Sequence, residues 1–270
     1  MLQAPVSGRV ASIRPTSERP EAGVRVEDEG SIRKIILDRP SKKNAITRAM
    51  FTTLTEALFV AAHSENTDVV LLTSAGGAFS VGVDYSDFVD DGPGNPDFIR
   101  TAGGFFRALA SFPKPIVAAV GGMAAGTGAT LLLHCDLIVA ARTAAFEFPY
   151  AKLGIVPDAG ASLLLAARVG LTRASEWLLF HDRIDVDTAL RLGLVNAVAP
   201  REELEGVALA RAEALAKLPR EAVRETKRLL REPLRAAVED AIARELAAIS
   251  PTLPLPEVAV VSSGFFPRIF

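Results

Sequence analysis

Short apolar segments of strand length alternate with segments of helical periodicity from residue 30 to about residue 160. In the helix-like segment 44–64, Ile46, Met50, Leu54 and Leu58 recur at helical spacing and share one face. The strand-like segments are β-branched or continuously apolar, and they cover residues 30–40, 68–75, 114–122 and 136–142. Strands that alternate with helices predict βαβ units and a mostly parallel sheet.

After about Gly160 the pattern changes, and nearly every segment has the periodicity of a helix. We therefore predict an α/β core at residues 24–199 and a helical C-terminal region at residues 200–270. Segment 90–97, DDGPGNPD, is rich in turn-forming residues and predicts a mobile loop.

The first 23 residues follow neither pattern. Arg9, Arg14 and Arg19 stand among serines, as in a transit peptide, but Pro5 and Pro15 would break the amphipathic helix that such a peptide forms. We predict a disordered extension at residues 1–23, with a transit peptide as the alternative. No secretory segment is apparent at the N-terminus, and we predict a cytoplasmic location.

Composition argues against several classes of protein. Hydrophobic residues make up 49% of the 270-residue chain, which permits a sizeable core, and the net charge of −2 argues against nucleic-acid binding. The basic segment 220–235 is typical of a solvated helix face. The single cysteine, Cys135, cannot form an intramolecular disulfide, and no apolar run is long enough to span a membrane. The three histidines lack ligand spacing, so we expect no metal site.

Two glycine-rich segments, 76–84 and 121–130, follow buried strands. In parallel sheets ligands bind beyond the carboxyl ends of the strands, where glycine lets the backbone approach them closely. A helix that begins near Gly126 would direct free N–H groups at the same place. Two N–H groups from two loops can form an oxyanion hole. The alternative is that both segments are ordinary strand–helix turns.

Five segments, in their order and spacing, resemble the enoyl-CoA hydratase/isomerase family, also called the crotonase family. They are LDRPSKKNAIT at 37–47, GGAFSVGVDYSDF at 76–88, KPIVAAVGGMAAGTGATLLLHCDLIVAA at 114–141, YAKLGIVPDAGAS at 150–162 and DVDTALRLGLVNAVAP at 185–200. The resemblance covers Val24 to Leu230. It implies a crotonase-like α/β fold, a spiral of ββα units with a helical C-terminal region.

The resemblance also implies a substrate, a coenzyme A thioester. Its carbonyl oxygen would lie between the backbone N–H groups of Val83 and Thr127, and an enolate would be the common intermediate. The residues assigned to substrate binding by the same resemblance are Lys42, Lys43 and Ala45 near the adenine and ribose, and Asp84, Tyr85 and Gly126 along the acyl and pantetheine channel. Coenzyme A is part of the substrate, so no separate cofactor is expected.

Two positions depart from the family pattern. Hydratases of the family use two glutamates to hold one water, and the matching positions here are Thr130 and Tyr150. Neither side chain is a base near neutral pH. The resemblance places both in the substrate site. Thr130 as an inward-packed helix residue, and Tyr150 as an aromatic wall of the acyl pocket, are the alternatives.

Asp158, in the segment IVPDAGAS, is the candidate catalytic acid–base. Its position matches the acid of several isomerases of the family, including ring-opening isomerases of phenylacetate breakdown. The neighbouring apolar residues Leu153, Ile155 and Val156 would raise its pKa towards the working range. The alternative is a helix N-cap, because Asp is a favoured cap and a helical segment follows directly.

One carboxylate next to an oxyanion hole suits a proton shuttle. We therefore predict an enoyl-CoA isomerase that moves a double bond from C3 to C2, or a related ring-type isomerase, in fatty acid or aromatic acid degradation. The alternatives are a 2-enoyl-CoA hydratase and a catalytically silent acyl-CoA-binding protein.

Motifs of two other enzyme classes, esterases and dinucleotide-binding enzymes, have partial matches in the chain. The segment Ala78 to Gly82 is one residue short of a nucleophile elbow, and Ser80, Asp158 and His181 occur in the order of a hydrolase triad. The strand before Ser80 ends several residues too early for such an elbow. A dinucleotide-binding turn is not indicated, because GGMAAGTG lacks the required glycine spacing.

The C-terminal helices contain more apolar positions than a thin outer layer needs. Trp177, Leu178, Leu179 and Phe180 are consecutive, and the chain ends in the apolar segment FFPRIF. Apolar surface on several faces must be buried against a partner. The resemblance implies that the partner is the protein itself, so we predict a homotrimer or a hexamer of two trimers, with residues 200–270 as the trimerisation region.

Overall fold

A computed structural model describes residues 23–84 and 95–252. Its strands form one six-stranded sheet and one three-stranded sheet. The expectations for the extension before residue 23, for Tyr85, for the loop at 90–94 and for the tail after residue 252 lie outside the described residues. The strands are β1 Val24–Glu29, β2 Ile32–Leu37, β3 Val69–Ser74, β4 Ile116–Val120, β5 Met123–Ala125, β6 Leu137–Ala141, β7 Ala145–Glu147, β8 Ile184–Asp185 and β9 Ala197–Ala199.

The large sheet has the order β1-β2-β3-β4-β6-β9, and its pairs are parallel except for β1 with β2. A second sheet has the order β5-β7-β8. The prediction of a mostly parallel sheet is therefore confirmed. The chain passes from the large sheet to the second sheet twice, by a short turn from β4 to β5 and by another from β6 to β7.

Helices connect the strands and form the C-terminal region. They are α1 Arg48–His63, α2 Pro96–Ala110, α3 Thr127–Thr130, α4 Ala161–Val169, α5 Leu171–Phe180, α6 Val186–Arg191, α7 Leu204–Ala216 and α8 Arg220–Thr252. Short 3-10 segments lie at Pro40–Lys42, Leu131–His134 and Ala151–Leu153. Within the described residues, no helix combines the length and the apolar character needed to cross a membrane.

Three boundaries differ from the sequence expectation. The edge strand β1 was not predicted, because four of its six residues are charged and its side chains are mostly exposed. Helix α2 begins at Pro96, inside the segment 90–97 that was expected to be a loop, since the Asn95 side chain caps its first amides. The segment 127–135 is one α-helical turn that continues as a 3-10 segment.

The helical C-terminal region shares both hydrophobic clusters of the core. Helix α7 packs Leu204, Ala208 and Ala212 against apolar side chains of β3, β4 and β6 on one side of the large sheet. Helix α8 adds Val238 and Ile242 to the cluster on the other side. The last strand, β9, ends at Ala199, and helices α7 and α8 then pack on opposite sides of the large sheet.

Candidate active site

The two predicted glycine turns lie against each other at one end of the sheets. Ser80 pairs with Ala124 in a short parallel bridge, and the N–H of Ala125 donates to the carbonyl of Ser80 at 2.9 Å. Gly82 has a φ of +93°, and a Cβ placed on it would lie 3.0 Å from the carbonyl oxygen of Ala125 and 3.2 Å from the nitrogen of Thr127. Only glycine permits both this conformation and this approach.

The backbone N–H groups of Val83 and Thr127 have no acceptor among the described residues. The groups on either side of the Val83 N–H are paired: the carbonyl of Gly82 accepts from the N–H of Ile46, and the N–H of Asp84 donates to the carbonyl of Ile46, each at 2.8 Å. Thr127 is the first residue of α3, where an amide has no partner within the helix. Two donors on touching turns are thus left without an acceptor among the described residues, as an oxyanion hole would need.

A buried serine and asparagine support the first turn. The Ser80 hydroxyl donates to the carbonyl of Asn44 at 2.8 Å and accepts from the N–H of Gly82 at 3.2 Å. The Asn44 amide donates to the carbonyls of Ala75 and Ala78, each at 2.9 Å. Ser80 is therefore engaged with the backbone and is fully buried, which does not suit a hydrolase nucleophile.

Asp158 lies at the centre of three hydroxyl groups. Its Oδ2 accepts a hydrogen bond from the Thr127 hydroxyl, and its Oδ1 accepts from the Thr130 hydroxyl at 2.5 Å and from the Tyr150 hydroxyl at 2.7 Å. The residue is 6% exposed. Burial raises the pKa of Asp158 above its ordinary value, and the three hydroxyl donors oppose that rise because they favour the charged form.

Thr127 connects the carboxylate to the free amides. Its hydroxyl bonds to Asp158, while its own N–H is one of the two unbonded donors. The sequence predicted only a main-chain role for Thr127, since a hydroxyl partner cannot be inferred without the fold. The structure adds a side-chain contact to it.

Thr130 and Tyr150, the positions expected to match two glutamates, both donate to Asp158. Thr130 and Tyr150 are 0% and 3% exposed, and the Tyr150 hydroxyl also lies 3.3 Å from the Thr130 oxygen. Burial raises the pKa of Tyr150 well above its ordinary value, so its hydroxyl stays protonated and remains a donor. Thr130 therefore packs inward, as its alternative interpretation expected, and it also contacts the candidate base.

The helix-cap alternative for Asp158 is wrong. Helix α4 begins after Gly160, and the side chain of Asp158 bonds to hydroxyls rather than to the first amides of that helix. The Glu245 carboxylate of α8, which sequence reasoning missed, accepts instead from the N–H groups of Gly160 and Ser162. A signal existed: Glu245 is an acid on the face of α8 that otherwise carries Val238, Ile242 and Ile249.

The predicted adenine-side residues lie in the loop before α1. Lys42 is exposed, Lys43 is half-buried with a φ of +51°, and Ala45 is buried. The carbonyl of Ala45 accepts from Arg39 at 3.2 Å, and the same guanidinium forms an ion pair with Asp84 at 2.5 Å. Arg39, which the sequence analysis also missed, thus joins this loop to the turn that carries Val83.

The described residues hold no group of three or more His, Cys, Asp or Glu side chains that could bind a metal ion. His181 ends helix α5 with a φ of +56°, and its backbone N–H donates to the carbonyl of Trp177. In the part of the chain that the structure describes, His181 is hydrogen-bonded to neither Asp158 nor Ser80. The structure thus gives no support to a hydrolase triad.

The family model described as enoyl-CoA hydratase/isomerase matches residues 27–253. The chain is 30% identical to the mouse protein named enoyl-CoA delta isomerase 3, peroxisomal, over 96% of this chain and 87% of that protein. It is 36% identical to a probable enoyl-CoA hydratase of Rhodobacter capsulatus, over 73% of this chain and 76% of that protein.

A crystal structure of an enoyl-CoA hydratase/isomerase from Pseudoalteromonas atlantica superposes with a TM-score of 0.84. The two chains are 33% identical, over 91% of this chain and 97% of the other. The family resemblance and the crotonase-like α/β fold predicted from the sequence are thereby confirmed.

Proposed function

Since the chain belongs to the enoyl-CoA hydratase/isomerase family, we propose that it isomerises 3-enoyl-CoA thioesters to 2-enoyl-CoA thioesters, with Asp158 as the proton carrier. One observation carries the proposal: Thr127 bonds the Asp158 carboxylate through its hydroxyl, while its own N–H has no acceptor within residues 23–84 and 95–252. Base and oxyanion donor are therefore parts of one small site.

The reaction begins at the thioester carbonyl. Its oxygen accepts hydrogen bonds from the N–H groups of Val83 and Thr127, which stabilise the negative charge that develops there. This stabilisation acidifies C2, so a carboxylate can remove a C2 proton. The electron pair of the C2–H bond moves into a dienolate that extends from the carbonyl oxygen to C4.

Asp158 then returns the proton at C4, the double bond forms between C2 and C3, and the carbonyl is restored. The raised pKa of Asp158 makes its conjugate base stronger, which suits the removal of a weakly acidic proton. The hydroxyls of Thr127, Thr130 and Tyr150 hold the carboxylate in place while it gains and loses the proton.

Isomerisation fits these residues better than hydration. A family hydratase holds its water between two carboxylates, whereas Thr130 and Tyr150 stand in those positions here. Both hydroxyls are directed at Asp158, so the three side chains form one base and its donors. A proton shuttle needs no activated water, which makes a single carboxylate sufficient.

Purified protein offered 3-hexenoyl-CoA and crotonyl-CoA tests the proposal. We expect isomerisation of the first to exceed hydration of the second, and Asp158→Asn to reduce isomerisation by about 10²-fold or more, the scale of general acid–base catalysis. Asp182→Asn, an exposed carboxylate, is the matched control. Unchanged turnover in Asp158→Asn, or faster hydration in the wild type, would reject the assignment. Binding of the thioester without turnover would support the silent acyl-CoA-binding alternative.

We also propose that the protein assembles as a homotrimer or as a pair of trimers. Leu229 and Leu230 of α8 are 57% and 73% exposed, and Leu179 and Phe180 of α5 are 64% and 66% exposed. Clusters of large exposed apolar side chains are typical of partner surfaces. A second and third copy of the chain would cover them in a closed assembly.

A further inference from the structure

Asp158 begins a short turn whose backbone is unfavourable. The next two residues, Ala159 and Gly160, have φ values of +57° and +75°. Two consecutive left-handed residues are uncommon, and the left-handed region is disfavoured for alanine because of its Cβ. Surrounding contacts must therefore hold the turn in this conformation. If the turn relaxed, Asp158 would move with it.

Two buried side chains contact this turn. Burial lowers the pKa of His134 to about 4, so the ring is neutral, and its Nε2 lies 2.7 Å from the carbonyl oxygen of Ala159, to which it donates. Glu245 of α8 accepts from the N–H of Gly160 at 2.6 Å through Oε2. Its Oε1 accepts from the N–H of Ser162 at 2.9 Å and from the Ser162 hydroxyl at 2.6 Å.

We propose that Glu245 is a positioning residue for Asp158, because its carboxylate binds the amides of Gly160 and Ser162 and so fixes the turn that presents Asp158 to the three hydroxyls. The assignment rests on the proposed function. Glu245 does not touch the reacting atoms; it acts through the backbone of residues 158–162.

The packing of α8 against the turn brings the Glu245 carboxylate to the start of α4. The residue before α4 is Gly160, which has no side chain to cap the helix, so the Glu245 carboxylate takes the place of a cap from a distant segment. A Cβ built on Gly160 would lie 3.4 Å from Ile242 and 3.5 Å from Val238, so the turn lies directly on α8. Glu245 is 6% exposed, and loss of its hydrogen bonds would leave the amide of the buried Gly160 unpaired.

Hydrogen exchange tests the contact without any substrate. In Glu245→Gln one carboxylate oxygen becomes an NH2 group, which cannot accept from an amide. We expect the peptide that spans residues 158–164 to exchange at least several times faster than in the wild type. Glu239→Gln is the matched control, since Glu239 lies on the same helix but is exposed and paired with Arg107. Equal exchange in the wild type and Glu245→Gln would overturn the proposal, whatever reaction the protein catalyses.

A double-mutant cycle tests the role in isomerisation. We expect Glu245→Gln to lower kcat by about 10- to 100-fold, the scale of a misplaced catalytic group, with KM changed by less than about twofold. On an Asp158→Asn background the same substitution should cause no further loss. An equal loss on both backgrounds would indicate a general structural effect and overturn the role. If Asp158→Asn alone retained full activity, the proposed function would fail, and the exchange result would still decide the contact.

A milder variant covers the case in which Glu245→Gln does not fold. Ser162→Ala removes one of the three donors to Glu245 and keeps both backbone bonds. We expect a smaller fall in kcat that is again absent on the Asp158→Asn background, and an equal fall on both backgrounds would overturn the proposal.

Discussion

Replacing Gly82 by alanine should separate the strain of a turn from the geometry of the oxyanion hole. Gly82 has a φ of +93°, which a residue with a Cβ disfavours by about 1–2 kcal/mol. The new Cβ would also lie 3.0 Å from the carbonyl oxygen of Ala125 and 3.2 Å from the nitrogen of Thr127. Both distances are inside normal contact, so the two turns must move apart by a few tenths of an ångström.

This movement acts directly on the two free amides. Loss of one oxyanion donor costs about 10²–10³ in rate, and a partial displacement should cost less. We therefore expect Gly82→Ala to lower kcat by at least about tenfold, in addition to its loss of stability. The change should appear in kcat more than in KM, because the oxygen carries most of its charge in the transition state.

Gly30→Ala is the control for strain alone. Gly30 also has a positive φ, +59°, but a Cβ there meets nothing within 4 Å. Thermal unfolding should show a loss of stability in both variants, larger in Gly82→Ala because of its close contacts, whereas steady-state isomerisation should fall only in Gly82→Ala. Full activity in a destabilised Gly82→Ala protein would refute the inference that these turns form the oxyanion hole.

Three further predictions concern Thr127, Glu245 and assembly. Thr127→Ala keeps the backbone N–H and removes the hydroxyl bond to Asp158, so steady-state kinetics should show kcat lowered about tenfold. Val83→Pro deletes an amide and should lower kcat further. Equal rates for Thr127→Ala and the wild type would deny the side-chain role. Burial raises the pKa of Glu245 to about 7 from 4.5, so as pH rises the unfolded chain loses this proton before the folded protein does. Between pH 4.5 and 7 the free energy of unfolding should therefore fall by up to about 3 kcal/mol more in the wild type than in Glu245→Gln. Parallel pH profiles of the two proteins in chemical denaturation would contradict this. Light scattering at micromolar concentration should give the mass of three or six chains, reduced by Leu229→Asp with Leu230→Asp, and a single monomer mass would refute the assembly.

The sequence predicted the elements whose periodicity is strong. The apolar face of α1 and the continuous apolar strands β3, β4 and β6 are buried as expected, because their side chains leave few alternative arrangements. The strand β1 was missed, since pairing with β2 rather than burial holds it in the sheet.

The site was predicted as separate residues rather than as a cluster. The family resemblance pointed to Val83, Thr127 and Asp158, but nothing in the sequence places the hydroxyls of Thr130 and Tyr150 on Asp158. Glu245 lies 87 positions after Asp158, and only the packing of α8 against α4 brings it to that turn. Contacts between distant segments depend on tertiary packing, which single-sequence patterns do not encode.

The most direct test of the account follows 3-hexenoyl-CoA by NMR in D2O with wild-type protein, Asp158→Asn and Asp182→Asn. The account predicts that the wild type and Asp182→Asn yield 2-hexenoyl-CoA that carries the former C2 proton, rather than deuterium from the solvent, at C4, with no C3 hydroxyl as the first product. Asp158→Asn should do so at least about 10²-fold more slowly. A 3-hydroxyacyl-CoA as the first product, or wild-type proton transfer in Asp158→Asn, would contradict the claim that this buried carboxylate carries the proton.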